Sequence, residues 1–266
     1  RLYASDGTTQ IGTFYAQNRI VVPLKKISKP MRQAVVSRED RRFFRHAGVD
    51  IQGVMRAFVA TYVKKGATQG GSSLTQQYVK NVLLLQAQED NDPIAEYHAS
   101  EETVARKLRE MLIAVQMEKT YSKLEILQGY LNIAQFGRGI YGVEMAARRY
   151  FSTTADKLDI VQAATIAAIT KNPAAFDPSV ESNQKASQRE RNIVLDLMYQ
   201  EEYISQKQRD EAKAKPLKDT LKLQDAQAGC SASGDAAFFC DYVTKKILNS
   251  KEFGKTIEER KKLLYE

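Results

Sequence analysis

The 266-residue sequence is poor in cysteine and histidine, with two of each. His46 and His98 have no partner at ligand spacing, which excludes a metal cluster built from His and Cys. Cys230 and Cys240, in GCSASGDAAFFCDY, admit either a short-loop disulfide in an oxidising compartment or two free thiols. No apolar run reaches the roughly 18 residues of a membrane-spanning helix, and no signal peptide is visible. Internal repeats are absent. Ser182 and Lys185 match Ser-x-x-Lys, but they lie in a polar stretch with no Lys-Thr-Gly downstream, and the match is chance. The chain starts at Arg1 rather than Met and closes in a charged, helix-like run, so it reads as a piece of a longer protein with room for an upstream anchor.

What is present is ordinary globular material, 43% hydrophobic and 27% charged. The net charge of +8 and a pI near 9.3 point to a polyanionic partner: nucleic acid, a phosphate-bearing substrate or an anionic membrane surface.

The patterning is mainly helical. Residues Arg1 to about Val22 alternate loosely, with Asp6-Gly7 as a hairpin turn. Met31, Ala34 and Val35 begin a helical stripe, and residues 50–66 read as a helix from an Asp50 N-cap to Gly66. A Gly70-Gly71-Ser72 turn leads into the next helix. Residues 86–100 read as a polar loop, and a long helix then carries Val104, Leu108, Met111, Leu112 and Val115 on one stripe. Ser122 and Glu125 form a capping-box pattern. Residues 159–169 are a short, strongly apolar helix that stops before Asn172-Pro173. Two more helices carry the pattern to a boundary near residues 215–218. The expected layout is an N-terminal linker with a β element over 1–26, a domain over 27–216 and a linker over 217–266. The central domain, roughly 190 residues, is within what one core supports.

Three features carry chemistry. In EDRRFFRHAGVD, aromatic surface takes water from the Glu39 carboxylate and makes it a better proton acceptor, while Arg38, Arg41, Arg42 and Arg45 keep it ionised. Glu110 shares a helix face with Arg106, at the edge of an apolar stripe. GGSSLTQQYVKN sets Ser72, Ser73, Thr75, Gln76, Gln77 and Lys80 around a helix start, a surface suited to phosphate or sugar but without P-loop spacing. Basic, apolar-faced helices with Arg56, Lys64, Lys65 and Lys80 suit an anionic membrane. Singly, each has a plain structural explanation.

In this order, EDRRFFRHAGVD, GGSSLTQQYVKN, ARKLREMLIAVQMEK, SKLEILQGYLN with GRGIYG, and AARRYF resemble the ordered motifs of the peptidoglycan glycosyltransferase domain of penicillin-binding proteins, glycosyltransferase family 51. The resemblance implies a mainly α, lysozyme-like fold of two lobes around a cleft. It implies polymerisation of lipid II into β-1,4-linked glycan with release of undecaprenyl pyrophosphate, inverting and by single displacement. Glu39 falls on the general base and Glu110 on the second cleft carboxylate. Ser72, Gln76, Lys80, Arg106, Lys107 and Asn132 fall on substrate- and phosphate-binding positions. A divalent cation, Mg or Mn, is implied as an aid. So are a nascent glycan strand, a membrane surface and moenomycin-type inhibitors as partners, with no nucleic acid. The implied place is the outer face of the cytoplasmic membrane.

The chemistry suits these residues. A sugar hydroxyl needs a carboxylate to take its proton, and departing pyrophosphate needs cations. The expectation is that the arginines ring the site and the aromatics wall it. The chain departs from the family at Ser73, where Thr is usual; at Gln128, where an acid is usual; and at Glu102, where a base is frequent. The rivals are a lysozyme-like glycan-cleaving enzyme, which has no need of the phosphate apparatus, and a basic helical binding module, which has no need of Glu39.

Overall fold

Helices carry nearly all of the structure. The computed structural model describes residues 2–8, 10–12, 19–53, 71–224 and 236–265. The readings of a helix over 50–66, of the Gly70 position and of the basic cluster Arg56, Lys64 and Lys65 fall largely or wholly on residues outside these.

Two compact units divide the chain: Ile20–Leu223, and Arg1–Arg19 together with Gln224–Glu266. The larger unit contains α1 (Lys29–Glu39), α2 (Leu74–Glu89), α3 (Pro93–Ser100), α4 (Val104–Thr120) and α5 (Lys123–Ile133). It continues with α6 (Val143–Phe151), α7 (Ile160–Ile169), α8 (Gln184–Gln200), α9 (Gln206–Ala214) and α10 (Leu217–Thr220). The smaller unit contains β1 (Leu2–Tyr3), β2 (Gln10–Gly12), α11 (Ala237–Asn249) and α12 (Ile257–Tyr265).

The apolar helix α7 organises the larger unit. Asp159 opens it with a capping box to Gln162, and Val161, Ile166 and Ile169 are buried with its alanines. Small alanine side chains let neighbouring backbones come close, and α7 packs against both α1 and α8. α1 starts at Ser28, whose hydroxyl accepts from the Met31 N–H, and buries Met31, Ala34, Val35 and Val36 against this centre. Its last residue, Glu39, is thereby held at the edge of the core.

The observed boundaries differ from those expected. Residues 20–26 belong with the body, because Val22 and Leu24 hydrogen-bond side chains of α5. The body also runs past 216: Leu217 is buried, its N–H donates to Gln188 Oε1 at 2.9 Å, and the Lys222 N–H donates to the Tyr150 carbonyl at 2.8 Å. The polar stretch 86–100 is not a loop. α2 extends to Glu89, and Asp92 then caps α3 by accepting from the Ile94 and Ala95 N–H groups, with Pro93 in the first turn.

In the smaller unit, β1 and β2 pair antiparallel, and Gly7 takes a φ of +68° in the turn between them. Cys240 is buried in α11 and disulfide-bonded. The sequence has one other cysteine, Cys230, which lies outside the described residues.

Candidate active site

The acidic pair at the end of α1 divides its labour. Asp40 is buried, and its Oδ2 accepts from the Leu74 N–H at 3.0 Å and from His46 Nε2 at 2.8 Å. A carboxylate on the first N–H of α2 satisfies a donor that the helix leaves unpaired and meets the positive end of its dipole. His46 is thus a hydrogen-bonding residue. The chain between the pair and α2 turns at Gly48, φ +84°, where a Cβ would come within 2.7 Å of the Ala114 backbone in α4. The glycine allows α1, α2 and α4 to converge.

Glu39 is half-buried and faces the cleft. Gln77 Nε2 donates to its Oε2 at 2.7 Å, and the Thr170 hydroxyl donates to its Oε1. Gln77 is oriented in turn by Tyr130, whose hydroxyl donates to Gln77 Oε1 at 3.2 Å. Burial first, then the charge of Glu39, push the Tyr130 phenol well above its ordinary value, so Tyr130 keeps the proton that fixes the Gln77 amide.

Glu110, on α4, is 2% exposed. Arg106 donates to its Oε1, and Lys107 Nζ lies 3.1 Å from its Oε2 while also donating to the Ser72 hydroxyl. Arg106 further donates from Nε to the Glu101 carbonyl. Both guanidinium and ammonium are therefore held in place, with Glu110 as their shared counter-charge.

Ser73 and Gln76 start α2 with a reciprocal capping box: the Ser73 hydroxyl accepts from the Gln76 N–H, and Gln76 Oε1 accepts from the Ser73 N–H. This leaves Gln76 Nε2 buried with no acceptor among the described residues, a donor in need of a partner.

One cavity of about 730 Å³ is lined by Glu39, Ser72, Gln76, Lys80, Arg106, Lys107 and Glu110, together with Arg38, Gln77 and Thr170. Lys80 makes no ion pair among the described residues. The structure thus brings Glu39, Ser72, Gln76, Lys80, Arg106, Lys107 and Glu110 to one cavity, whereas Thr75 is buried and donates to Glu118.

Asn132 lies elsewhere. It is buried in α5; its Oδ1 accepts from the Val22 N–H, and its Nδ2 donates to the Val22 and Gln128 carbonyls, each at 2.8–2.9 Å. Its polar atoms hold the incoming chain and reach no cleft. Gln128 does the same work one turn earlier, accepting from the Leu24 N–H at 2.7 Å. An amide oxygen suffices there, which explains how the chain does without the acid usual at that position. Glu102 is exposed and does not line the cavity.

Of the arginines expected around the site, Arg38, Arg41 and Arg42 border a second cavity of about 450 Å³ together with Glu39 and Ser72. Arg38 also lines the larger cavity and pairs with Glu190 at 2.8 Å. Arg41 turns to Gln200 and Glu201, and Arg42 to Asp50 and Gln52. Phe43 is buried in the core, and Phe44 is 53% exposed beside Leu124 and Tyr203; neither walls the cavity.

Thr170 was missed as a site residue, and so was the contact of Gln77 with Glu39. Gln77 carried a signal as one of the donors after the double glycine. Thr170 carried none, since it follows an apolar helix far along the chain.

A family model described as Transglycosylase matches residues 7–199. Penicillin-binding protein 2D of Bacillus subtilis (strain 168) is 34% identical over 258 residues, which covers 97% of this chain and 34% of that protein. Penicillin-binding protein 1A of Aquifex aeolicus (strain VF5) is 38% identical over 206 residues, covering 77% of this chain and 26% of that protein. The crystal structure of Penicillin-Binding Protein 1A from Haemophilus influenzae aligns with a TM-score of 0.47 and 20% identity, over 92% of this chain and 23% of that one. The chain spans about a third or less of the length of these relatives.

Proposed function

This chain belongs to the transglycosylase family, and on that premise we propose that its cleft polymerises lipid II into a β-1,4-linked glycan strand, releasing undecaprenyl pyrophosphate. The observation that carries the reading is the shared cavity: a half-buried carboxylate, Glu39, and the cations Lys80, Arg106 and Lys107, with Arg38 and Lys171, border the same space.

Glu39 takes the proton of the acceptor sugar's hydroxyl as that oxygen attacks the anomeric carbon. The bond from that carbon to the pyrophosphate breaks on the opposite side, so an α-phosphate gives a β-glycoside in one displacement. Lys80, Arg106 and Lys107 meet the charge that gathers on the pyrophosphate oxygens, and the preset cations need little reorganisation to do so. Gln76 Nε2, which has no acceptor among the described residues, and the Ser72 hydroxyl supply further polar contacts. Glu110 acts through the two cations it holds rather than as a second base.

The implied Mg or Mn ion finds no ligand set here. No group of three or more His, Cys, Asp or Glu side chains converges among the described residues. Compensation of the leaving group is assigned to cations of the chain itself, Lys80, Arg106 and Lys107.

Among the described residues, no helix is long and apolar enough to cross a membrane. A lipid-linked substrate places the cleft at the outer face of the cytoplasmic membrane, where the nascent glycan and moenomycin-type inhibitors share it. Incubation with labelled lipid II tests the reading. Polymer supports it, cleavage of preformed glycan without polymer supports the lysozyme-like alternative, and neither product supports a binding module.

A further inference from the structure

We propose that Thr170 is a positioning residue for Glu39, and that its hydroxyl serves the carboxylate in both protonation states. This rests on the reading of Glu39 as the base. Thr170 follows the last turn of α7, part-buried, with its side chain in the cleft wall. Its Oγ1 stands between two acceptors, Glu39 Oε1 on one side and the Ala167 carbonyl oxygen, at 2.7 Å, on the other. A hydroxyl has one proton and two lone pairs, so it donates to one of these at a time. The Ala167 carbonyl belongs to the final turn of α7, where carbonyls lack helical partners.

The two arrangements match the two states of the base. While Glu39 is ionised, the Thr170 proton points at the carboxylate, because a charge-assisted hydrogen bond is the stronger. In the reaction the sugar O–H bond breaks and its proton goes to Glu39, while the sugar oxygen bonds to the anomeric carbon and the pyrophosphate departs with its electron pair. Thr170 keeps its own proton. It turns about its Cβ–Oγ bond to donate to Ala167, and its freed lone pair accepts from the carboxyl when the new proton lies on Oε1. Gln77 cannot make this exchange. Its Nε2 is only a donor, and its Oε1 is engaged by Tyr130. Gln77 therefore favours the ionised form, and Thr170 accommodates both. The plain alternative is a helix-terminal threonine bonded back to its own turn, a common local motif. That alternative gives the hydroxyl no influence on turnover.

The test uses the 266-residue chain with labelled lipid II and the variants Thr170→Val, Thr170→Ala and Thr170→Ser, with Glu39→Gln alongside. Thr170→Val and Thr170→Ala are expected to lower kcat about tenfold or more, with KM unchanged, because the carboxylate loses a contact that sets its position and a small misplacement of a reacting group is costly. Thr170→Ser, which keeps the hydroxyl, is expected to restore kcat to within about threefold. Parental kcat in the Val variant, no rescue by Ser, or a kcat loss matched by a raised KM and a lowered melting temperature would each overturn the proposal. If Thr170→Val does not fold, Thr170→Ala decides on the same criteria. An active Glu39→Gln would remove the base reading and this proposal with it. An inactive Glu39→Gln beside a fully active Thr170→Val would remove only the role of Thr170.

Discussion

Lys107 Nζ lies 3.1 Å from Glu110 Oε2 and also donates to the Ser72 hydroxyl, so one ammonium ties α4 to the turn that precedes α2. With Arg106 on the other oxygen, Glu110 holds two cations whose side chains are only 13% and 31% exposed. Glu110→Gln removes the counter-charge and leaves both cations partly buried. The expected cost is about 3 kcal/mol of stability, the low end for breaking a buried pair because Lys107 keeps some water. Polymerisation is also expected to fall at least about tenfold, because the cations lose the set positions on which leaving-group stabilisation depends. Urea unfolding and initial rates on lipid II check the two effects. Lost stability with unaltered kinetics would make Glu110 purely structural.

Asn132 makes the opposite prediction. Its three hydrogen bonds join α5 to Val22 and to its own preceding turn, away from the cleft. Asn132→Ala is expected to cost about 2–3 kcal/mol, near 1 kcal/mol for each bond lost, and to leave KM for lipid II unchanged. A raised KM in a variant of parental stability would return Asn132 to the substrate site.

These two residues show how much of the site could be read from the sequence. The α2 start was legible because its chemistry is local: two glycines, hydroxyls, amides and a lysine all fall within residues 70–80. Arg106 and Glu110 were legible because four residues span one turn of helix. Asn132 was misplaced because the sequence does not say which face of α5 meets the cleft and which meets residues 20–26. Arg41 and Arg42 were legible as cations beside Glu39, and they border a cavity with it. Charge pattern identifies cations, but their partners on α8 and around Asp50 come from packing. The stretch 86–100 was too polar to read as helix, yet Asp92-Pro93 is a helix-start signal that outweighed the composition. Thr170 could not be found at all, since its contact with Glu39 spans 131 residues.

A pH dependence follows from the capping box of α5. The Ser122 hydroxyl, and after it the Ser122 backbone N–H, hold the Glu125 carboxyl below its ordinary value. A depressed folded-state value means that the contribution to stability is present above the unfolded-state value and disappears as pH falls through the folded one. Glu125→Gln keeps an acceptor but carries no charge. Its melting temperature is expected to lie below the parent's at neutral pH. The gap should close as pH drops below about 4, the ordinary range for a glutamate. Paired thermal melts across that range check the sign; a gap that widens in acid would refute it.

The most direct test is the rate of lipid II polymerisation by Glu39→Gln beside the parent, with far-UV circular dichroism on both. Gln77 can still donate to the amide oxygen, and the Thr170 hydroxyl, turned to the Ala167 carbonyl, can accept from the amide NH2, so the helical signal should be unchanged, while an amide cannot take a sugar proton and polymer should fall to background. Polymer formed at a rate near the parent's would contradict the assignment of Glu39 as the base.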